Sequence, residues 1–167
     1  RLRLIEHVRT YYRADNLAGL LGLGQVESLA LPYQSYKLAY TPELLSDIYG
    51  DRVSLEILQS GGYVHSEGDE NWWIPSGRVY YASDRSHTPP DRELDHARAH
   101  FYLPHRFDDP FENPTTVQYD DLKLLVRRTE DALHNTVSAE EDKADGTVKV
   151  TLDYRVLQPW LMTDPNG

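Results

Sequence analysis

A turn motif that returns through the last third of this chain constrains its fold more than any other feature. It reads Asp109-Pro110-Phe111-Glu112-Asn113, then Asp131-Ala132-Leu133-His134-Asn135, then Asp164-Pro165-Asn166-Gly167. The leading Asp can bond the backbone two residues on. Pro in second place presets φ for a tight turn, and a closing Asn or Gly tolerates positive φ. The first two motifs start 22 residues apart and the next two 33 apart, and an 11-residue insert over 143–153 accounts for the difference. Residues 115–119 and 124–129, between turns, are rich in β-branched, aliphatic and aromatic types and read as strands. Strand-turn-strand units of this kind bury their apolar faces only by stacking on one another. The expected fold is mainly β with a few short helices, with antiparallel strand-turn-strand repeats in the C-terminal part.

Upstream, residues 2–13 read as a strand on their β-branched and aromatic content, although Ile5, Val8 and Tyr12 also make a short helical stripe. Residues 33–40 alternate as a strand should. The clearest helix covers 41–49: Thr41 can cap it, Pro42 takes the first helical position, Glu43 favours the positive end and Gly50 stops it. Leu44, Leu45 and Ile48 supply its apolar stripe. A second short helix is expected over 55–59. Residues 63–82 read as a hairpin turning at 67–71, with a further turn at Pro75-Ser76-Gly77. Residues 83–91 read as a polar loop, and 92–99 as one or two helical turns. In the insert, Val148, Val150, Leu152 and Tyr154 alternate with polar residues after the turn Ala144-Asp145-Gly146, which predicts an elongated hairpin with one wet face.

Charge narrows the partners. Lys and Arg number 17 against 27 Asp and Glu, a net charge of −10, which argues against nucleic acid and anionic membranes. No cysteine is present, so disulfides and thiolate metal sites are excluded. No apolar run approaches the roughly 18 residues of a spanning helix. Twelve tyrosines against three phenylalanines suit sheets with one wet face. The chain opens on Arg1-Leu2-Arg3, without an initiator Met or signal segment, and stops inside a turn motif. It reads as an excised piece of a longer protein, whose raw sheet edges favour edge-strand self-association.

Few residues suggest chemistry. His96 and His100 stand at i and i+4, with His105, Glu93 and Asp95 nearby, so the three histidines are the leading metal candidates. Ala97 stands where a zincin would place its glutamate, and the plainer reading is histidines that pack or hydrogen-bond where a helix meets a strand. The acidic run Glu67-Gly68-Asp69-Glu70-Asn71 lacks the ligand order of a calcium loop and reads as a solvated turn. Trp72 and Trp73 could stack on sugars, but neighbours on a strand face opposite ways and tryptophan beside a turn is more often packing. Asp108, Asp109, Asp120 and Asp121 come as pairs that diverge along a strand, and Asp109 is better explained as a turn former. No phosphate loop and no nucleophile motif is present. The expectation is no enzyme, no catalytic residue, no cofactor and no metal.

Several stretches resemble one family. Thr129 to Val137, Tyr154 to Pro159 and Thr163 to Gly167 resemble RHS (YD) repeats. His100-Phe101-Tyr102-Leu103-Pro104-His105-Arg106-Phe107 with Asp109-Pro110-Phe111 resembles the middle-to-C-terminal region of the B component of insecticidal toxin complexes (TcdB/TcaC-like). Leu31-Pro32-Tyr33-Gln34-Ser35-Tyr36-Lys37-Leu38-Ala39 and Trp72-Trp73-Ile74-Pro75-Ser76-Gly77-Arg78 resemble the same family, so the similarity covers most of the chain. The family's turn usually has Gly where this chain has Glu112 and His134. The resemblance implies a mixed β region with short helices over 1–99 that leads into an RHS/YD-like β-repeat region over 100–167. It also implies a secreted, extracellular virulence protein. This piece would be a non-catalytic part of the RHS shell that encloses the toxic C-terminal region of the partner C subunit. The translocation channel of the A subunit would be reached through the parent chain, with no membrane contact by this piece. The residues alone leave two other readings open: a secreted β-rich adhesion or glycan-binding module built on Trp72 and Trp73, and a metal-dependent enzyme built on His96, His100 and His105.

Overall fold

The computed structural model describes residues 6–84 and 88–166. The chain forms two compact units. One runs to Val79 and takes in Asp109–Glu112; the other comprises Tyr80–Asp108 and the residues from Asn113 onward. The fold is mainly antiparallel β with three short α-helices, as the sequence predicts.

In the first unit, strand β1 (Val8–Arg13) lies antiparallel to β2 (Leu31–Tyr40), which pairs in turn with β3 (Trp72–Tyr80). Pro75-Ser76-Gly77, expected to turn, instead lies inside β3. Tyr36 pairs with Pro75 and Gln34 with Arg78, so two residues of β3 oppose the single residue Ser35. This β-bulge absorbs both sheet breakers. Ser35 N–H donates to Ser76 Oγ at 3.0 Å, and Gly77 takes φ +90°. The hairpin before β3 forms as a single bridge, Val64 with Trp73, closed through Glu67 and Gly68, both at positive φ.

Trp73 is fully buried and Trp72 nearly so, alongside Leu17, Leu31 and Leu58. The Arg9 guanidinium stacks 3.9 Å from the Trp73 ring centre, and the indole N–H donates to Asp69 at 3.0 Å. Asp69 also pairs with Arg9 at 2.7 Å. The buried indole thus has both a cation over its face and an acceptor for its N–H.

Helix α1 (Pro42–Ile48) begins as predicted: Thr41 Oγ1 accepts from Leu44 N–H at 3.2 Å, and Gly50 follows at φ +51°. Its apolar stripe is not buried, since Leu44 and Ile48 remain exposed. Helix α2 (Leu55–Ser60) is capped by Ser54. With little burial, these helices depend on their caps.

The second unit opens with helix α3 (Pro90–Ala99), longer than predicted because Pro90 and Asp91, read as loop, form its first turn. The polar loop expected before it falls partly on 85–87, outside the described residues. There follows an antiparallel meander, β4 (Arg106–Asp108), β5 (Pro114–Tyr119), β6 (Val126–Glu130) and β7 (Thr136–Ser138). Two hairpins come after it: β8 (Glu140–Asp142) with β9 (Val148–Val150), and β10 (Leu152–Asp153) with β11 (Gln158–Pro159).

The turns of this region obey a shorter period than the expected 22 residues. Asp109, Asp120, Asp131, Asp142, Asp153 and Asp164 are spaced by 11 residues throughout. Five of these carboxylates accept the backbone N–H two residues on: Asp109 from Phe111, Asp120 from Leu122, Asp131 from Leu133, Asp153 from Arg155 and Asp164 from Asn166, at 2.8–3.1 Å. Glu112, Lys123 and His134, each three residues after its Asp, take φ of 66°, 59° and 65°. Glu112 and His134, where the resembling family usually has Gly, are therefore left-handed with ordinary side chains. The turn after Asp153 has its positive φ one residue later, at Leu157 (φ 53°), and the turn after Asp142 is displaced: Gly146 supplies the positive φ, and Asp145 bonds Thr147. Residues 143–153 are thus one more period of the array and not an insert. The hairpin there is short, because Thr151 leaves the ladder. It is fully buried, donates its N–H to Ala139 O and its hydroxyl to Leu161 O, and its carbonyl accepts from Trp160 N–H. All three residues of β9 are exposed, so neither of its faces is dry.

Asp120 is the most engaged of the series. Although 97% buried, it accepts N–H bonds from Leu122, Leu124 and Leu125 and the Tyr154 hydroxyl, at 2.7–3.1 Å. Burial pushes its pKa up, but the donors outweigh burial and hold it below the ordinary value. Asp120→Ala is expected to cost about 2–4 kcal/mol in urea unfolding, because it removes the shared acceptor of three amides and the Tyr154 hydroxyl. Asp121→Ala, at an exposed neighbour, should stay within about 0.5 kcal/mol. A carboxylate whose native pKa is depressed contributes stability that is complete above its unfolded value of about 3.9 and is lost as pH falls through the native value. Urea midpoints should therefore drop below about pH 4, and Asp120→Asn should flatten that drop.

Candidate functional site

Most of the residues that suggested chemistry are occupied structurally. Asp69 is taken up by Arg9, Trp73 and the Asn71 N–H, so the 67–71 turn offers no free set of oxygens. Both tryptophans are interior: Trp72 packs against His65 with ring centres 4.1 Å apart, which removes the sugar-stacking platform. Tyrosines of the same unit pair with each other, Tyr11 with Tyr36 and Tyr40 with Tyr49 and Tyr63. Asp108 pairs with Arg106 at 3.1 Å. Asp109 and Asp120 are turn formers, a role the sequence motif suggests for Asp109 alone. The 11-residue spacing is the signal that extends it to Asp120.

The histidines behave differently. Among the described residues, one group of metal-ligating side chains is close enough to share an ion: His96, His100 and His105, with one ligand atom of each within 4.8 Å of the others. Helix periodicity places His96 and His100 on one face of the end of α3, where their rings stack at 4.0 Å. A sharp reversal supplies the third. Phe101 and Tyr102 take consecutive left-handed conformations, φ 54° and 55°, and Tyr102 N–H bonds back to Ala97 O at 2.8 Å. The chain then returns along β4. His105 N–H donates to Tyr80 O at 3.0 Å and its carbonyl accepts from Val117 N–H at 2.9 Å. This turns the His105 ring edge-on to the other two, with centres 4.7 and 5.0 Å away. Tyr119 closes the far side of His105 at 5.2 Å and donates its hydroxyl to Pro104 O.

The hydrogen bonds leave a consistent pattern of free nitrogens. His96 Nδ1 faces Tyr81 O at 2.6 Å and His100 Nδ1 faces His96 O at 2.8 Å; with carbonyl partners, both nitrogens are donors. In the neutral ring that arrangement leaves Nε2 with its lone pair. His105 is 93% buried, and its Nε2 has no hydrogen-bond partner. Burial, reinforced by the neighbouring His96 and His100, pushes the His105 pKa down to about 4. Burial lowers that of His96 too, against the opposing pull of the Tyr81 carbonyl. Both rings are neutral at neutral pH. Glu93 completes the surroundings: it is buried and accepts Tyr81 N–H at 2.8 Å, so α3 grips both backbone groups of Tyr81, one with Glu93 and the other with His96.

No family model and no curated protein matches the chain. Solved structures do. The crystal structure of TcdB2-TccC3 matches over 96% of the chain with a TM-score of 0.63 and 19% identity. A Tc holotoxin pore from Photorhabdus luminescens carrying mutant TccC3 matches over 96% with a TM-score of 0.61 and 18% identity. In both cases the chain spans only 7% of the solved chain's length. At this identity the likeness is one of fold: the chain folds like a short segment of these toxin-complex proteins. No helix of the described residues is long and apolar enough to cross a membrane.

The grip on Tyr81 is open to direct test. Glu93→Ala should leave the Tyr81 amide without its carboxylate acceptor, cost about 1–3 kcal/mol in denaturant unfolding, and speed hydrogen exchange at that amide relative to those of β5.

Proposed function

We propose that this chain is a non-catalytic segment of a toxin-complex B component, and that it contributes to the RHS-repeat shell enclosing the toxic C-terminal region of the partner C subunit. The observation that carries this reading is the match of 96% of the chain to the TcdB2-TccC3 fold, in a region built as hairpins with an Asp turn every 11 residues. Such an array is suited to walling off space. Each hairpin adds one more pair of strands, and the corners are fixed by local hydrogen bonds, so the wall extends without a separate core for every unit. Exposed Leu122, Leu133, Val156 and Trp160 support the same reading, because in a stacked array apolar groups at corners and late strands are covered by further repeats. The partners are the C subunit and, through the parent chain, the translocation channel of the A subunit, and the setting is extracellular. The buried tryptophans speak against the glycan-binding alternative.

Co-expression of the parent chain with the partner C subunit, followed by protease challenge, tests the proposal. The partner's toxic C-terminal region should survive digestion in the complex and be degraded when that partner is expressed alone. Equal degradation in the two samples, or failure to form a complex, would overturn the shell reading.

A further inference from the structure

We propose that His96, His100 and His105 form a binding site for one zinc ion, held by three imidazole nitrogens with a fourth position left to water, and that the ion ties the end of α3 to the start of β4. The inference is independent of the shell reading and rests on four features of the cluster.

The first is convergence. Three ligand atoms, from the last turn and cap of α3 and from the residue before β4, lie within 4.8 Å of one another. Zinc–nitrogen bonds of about 2.0–2.1 Å in tetrahedral geometry need nitrogens about 3.3 Å apart. His96 and His100 are only partly buried and can close that gap by side-chain rotation. The second is the tautomer. Carbonyl oxygens of Tyr81 and His96 engage the Nδ1 atoms of His96 and His100, which is how metal-bound histidines are commonly oriented with Nε2 free to coordinate. The third is the orphaned nitrogen. A buried polar atom without a partner is costly and uncommon, and His105 Nε2 is one, on a ring that faces both other histidines. An ion there would provide the missing partner. The fourth is donor chemistry. Three imidazoles, with no thiolate in the chain, suit zinc and not magnesium or calcium, which take oxygen ligands. The two left-handed residues Phe101 and Tyr102, which bring His105 back under the helix, give such an ion a structural task. It would hold closed a reversal that carries conformational strain.

The test uses the full, untagged chain. It is incubated with zinc sulfate, dialysed against metal-free buffer and assayed for bound metal by mass spectrometry. Parallel samples with cobalt(II) are read by visible absorption, and thermal midpoints are taken with and without zinc. The expected result is one zinc per chain, tetrahedral cobalt bands and a higher midpoint with zinc. His100→Gln and His105→Asn should each weaken zinc binding by at least about 100-fold, beyond the 10–100-fold typical of losing an outer partner. His134→Gln, at an exposed histidine paired with Glu130, should bind as the unsubstituted chain does. Circular dichroism checks that each variant folds, and His100→Gln decides the question if His105→Asn does not. The proposal fails if the unsubstituted chain retains no zinc after dialysis, or if His100→Gln binds zinc as tightly as His134→Gln.

Discussion

A carboxylate that accepts the backbone N–H two residues ahead is the interaction on which the C-terminal part of this protein is built. Hairpin corners expose backbone groups that no strand partner reaches, and a left-handed residue at the corner carries a conformational cost unless it is glycine. The Asp turn answers both problems locally. Its side chain takes up an amide, its carbonyl accepts the N–H three residues on, as at Glu112, Lys123 and His134, and the corner holds a Glu, Lys or His at positive φ without glycine. Because each turn is satisfied within about five residues, it can be repeated at a fixed interval with little regard to the residues on the strands.

Asp120 shows what happens when the same device is buried. The half-buried Asp131 and Asp153 are satisfied largely within their own turns. Asp120 instead collects three amides of its own turn and, from 34 residues away, the hydroxyl of Tyr154. That last bond joins one period of the array to another. A charge taken out of water is tolerable only when fully solvated by donors, and here it is. The same residue is therefore both a local corner and a long-range tie.

The three histidines follow a different logic. Nothing local assembles them: α3 supplies two at helical spacing, and the third arrives only because Phe101 and Tyr102 turn left-handed and the chain comes back along β4. Their Nδ1 hydrogen bonds and the unpartnered Nε2 of His105 are the observations on which the proposed zinc site rests.

Local chemistry by itself determined much of this protein. The Thr41 cap and Pro42 start of α1, the alternation of β2 and the Asp corners are legible because each depends on groups a few residues apart, whose hydrogen bonds form whatever the rest of the chain does. The 11-residue period is equally legible in the spacing of six aspartates. It is masked as a longer period with an insert because the turns after Asp120 and Asp153 close on Leu124 and Leu157 in place of Asn, and the turn after Asp142 is displaced. Tertiary structure decided what local rules could not. Pro75 and Gly77 break strands in isolation, yet pairing with β2 turns them into a bulge, because the ladder on either side outweighs one irregular step. Trp72 and Trp73 alternate on a strand and still both end buried, because burial depends on what packs against each face. The meeting of His105 with His96 and His100 required the reversal and the pairing of β4 with β5, contacts between segments whose approach no spacing in the sequence encodes.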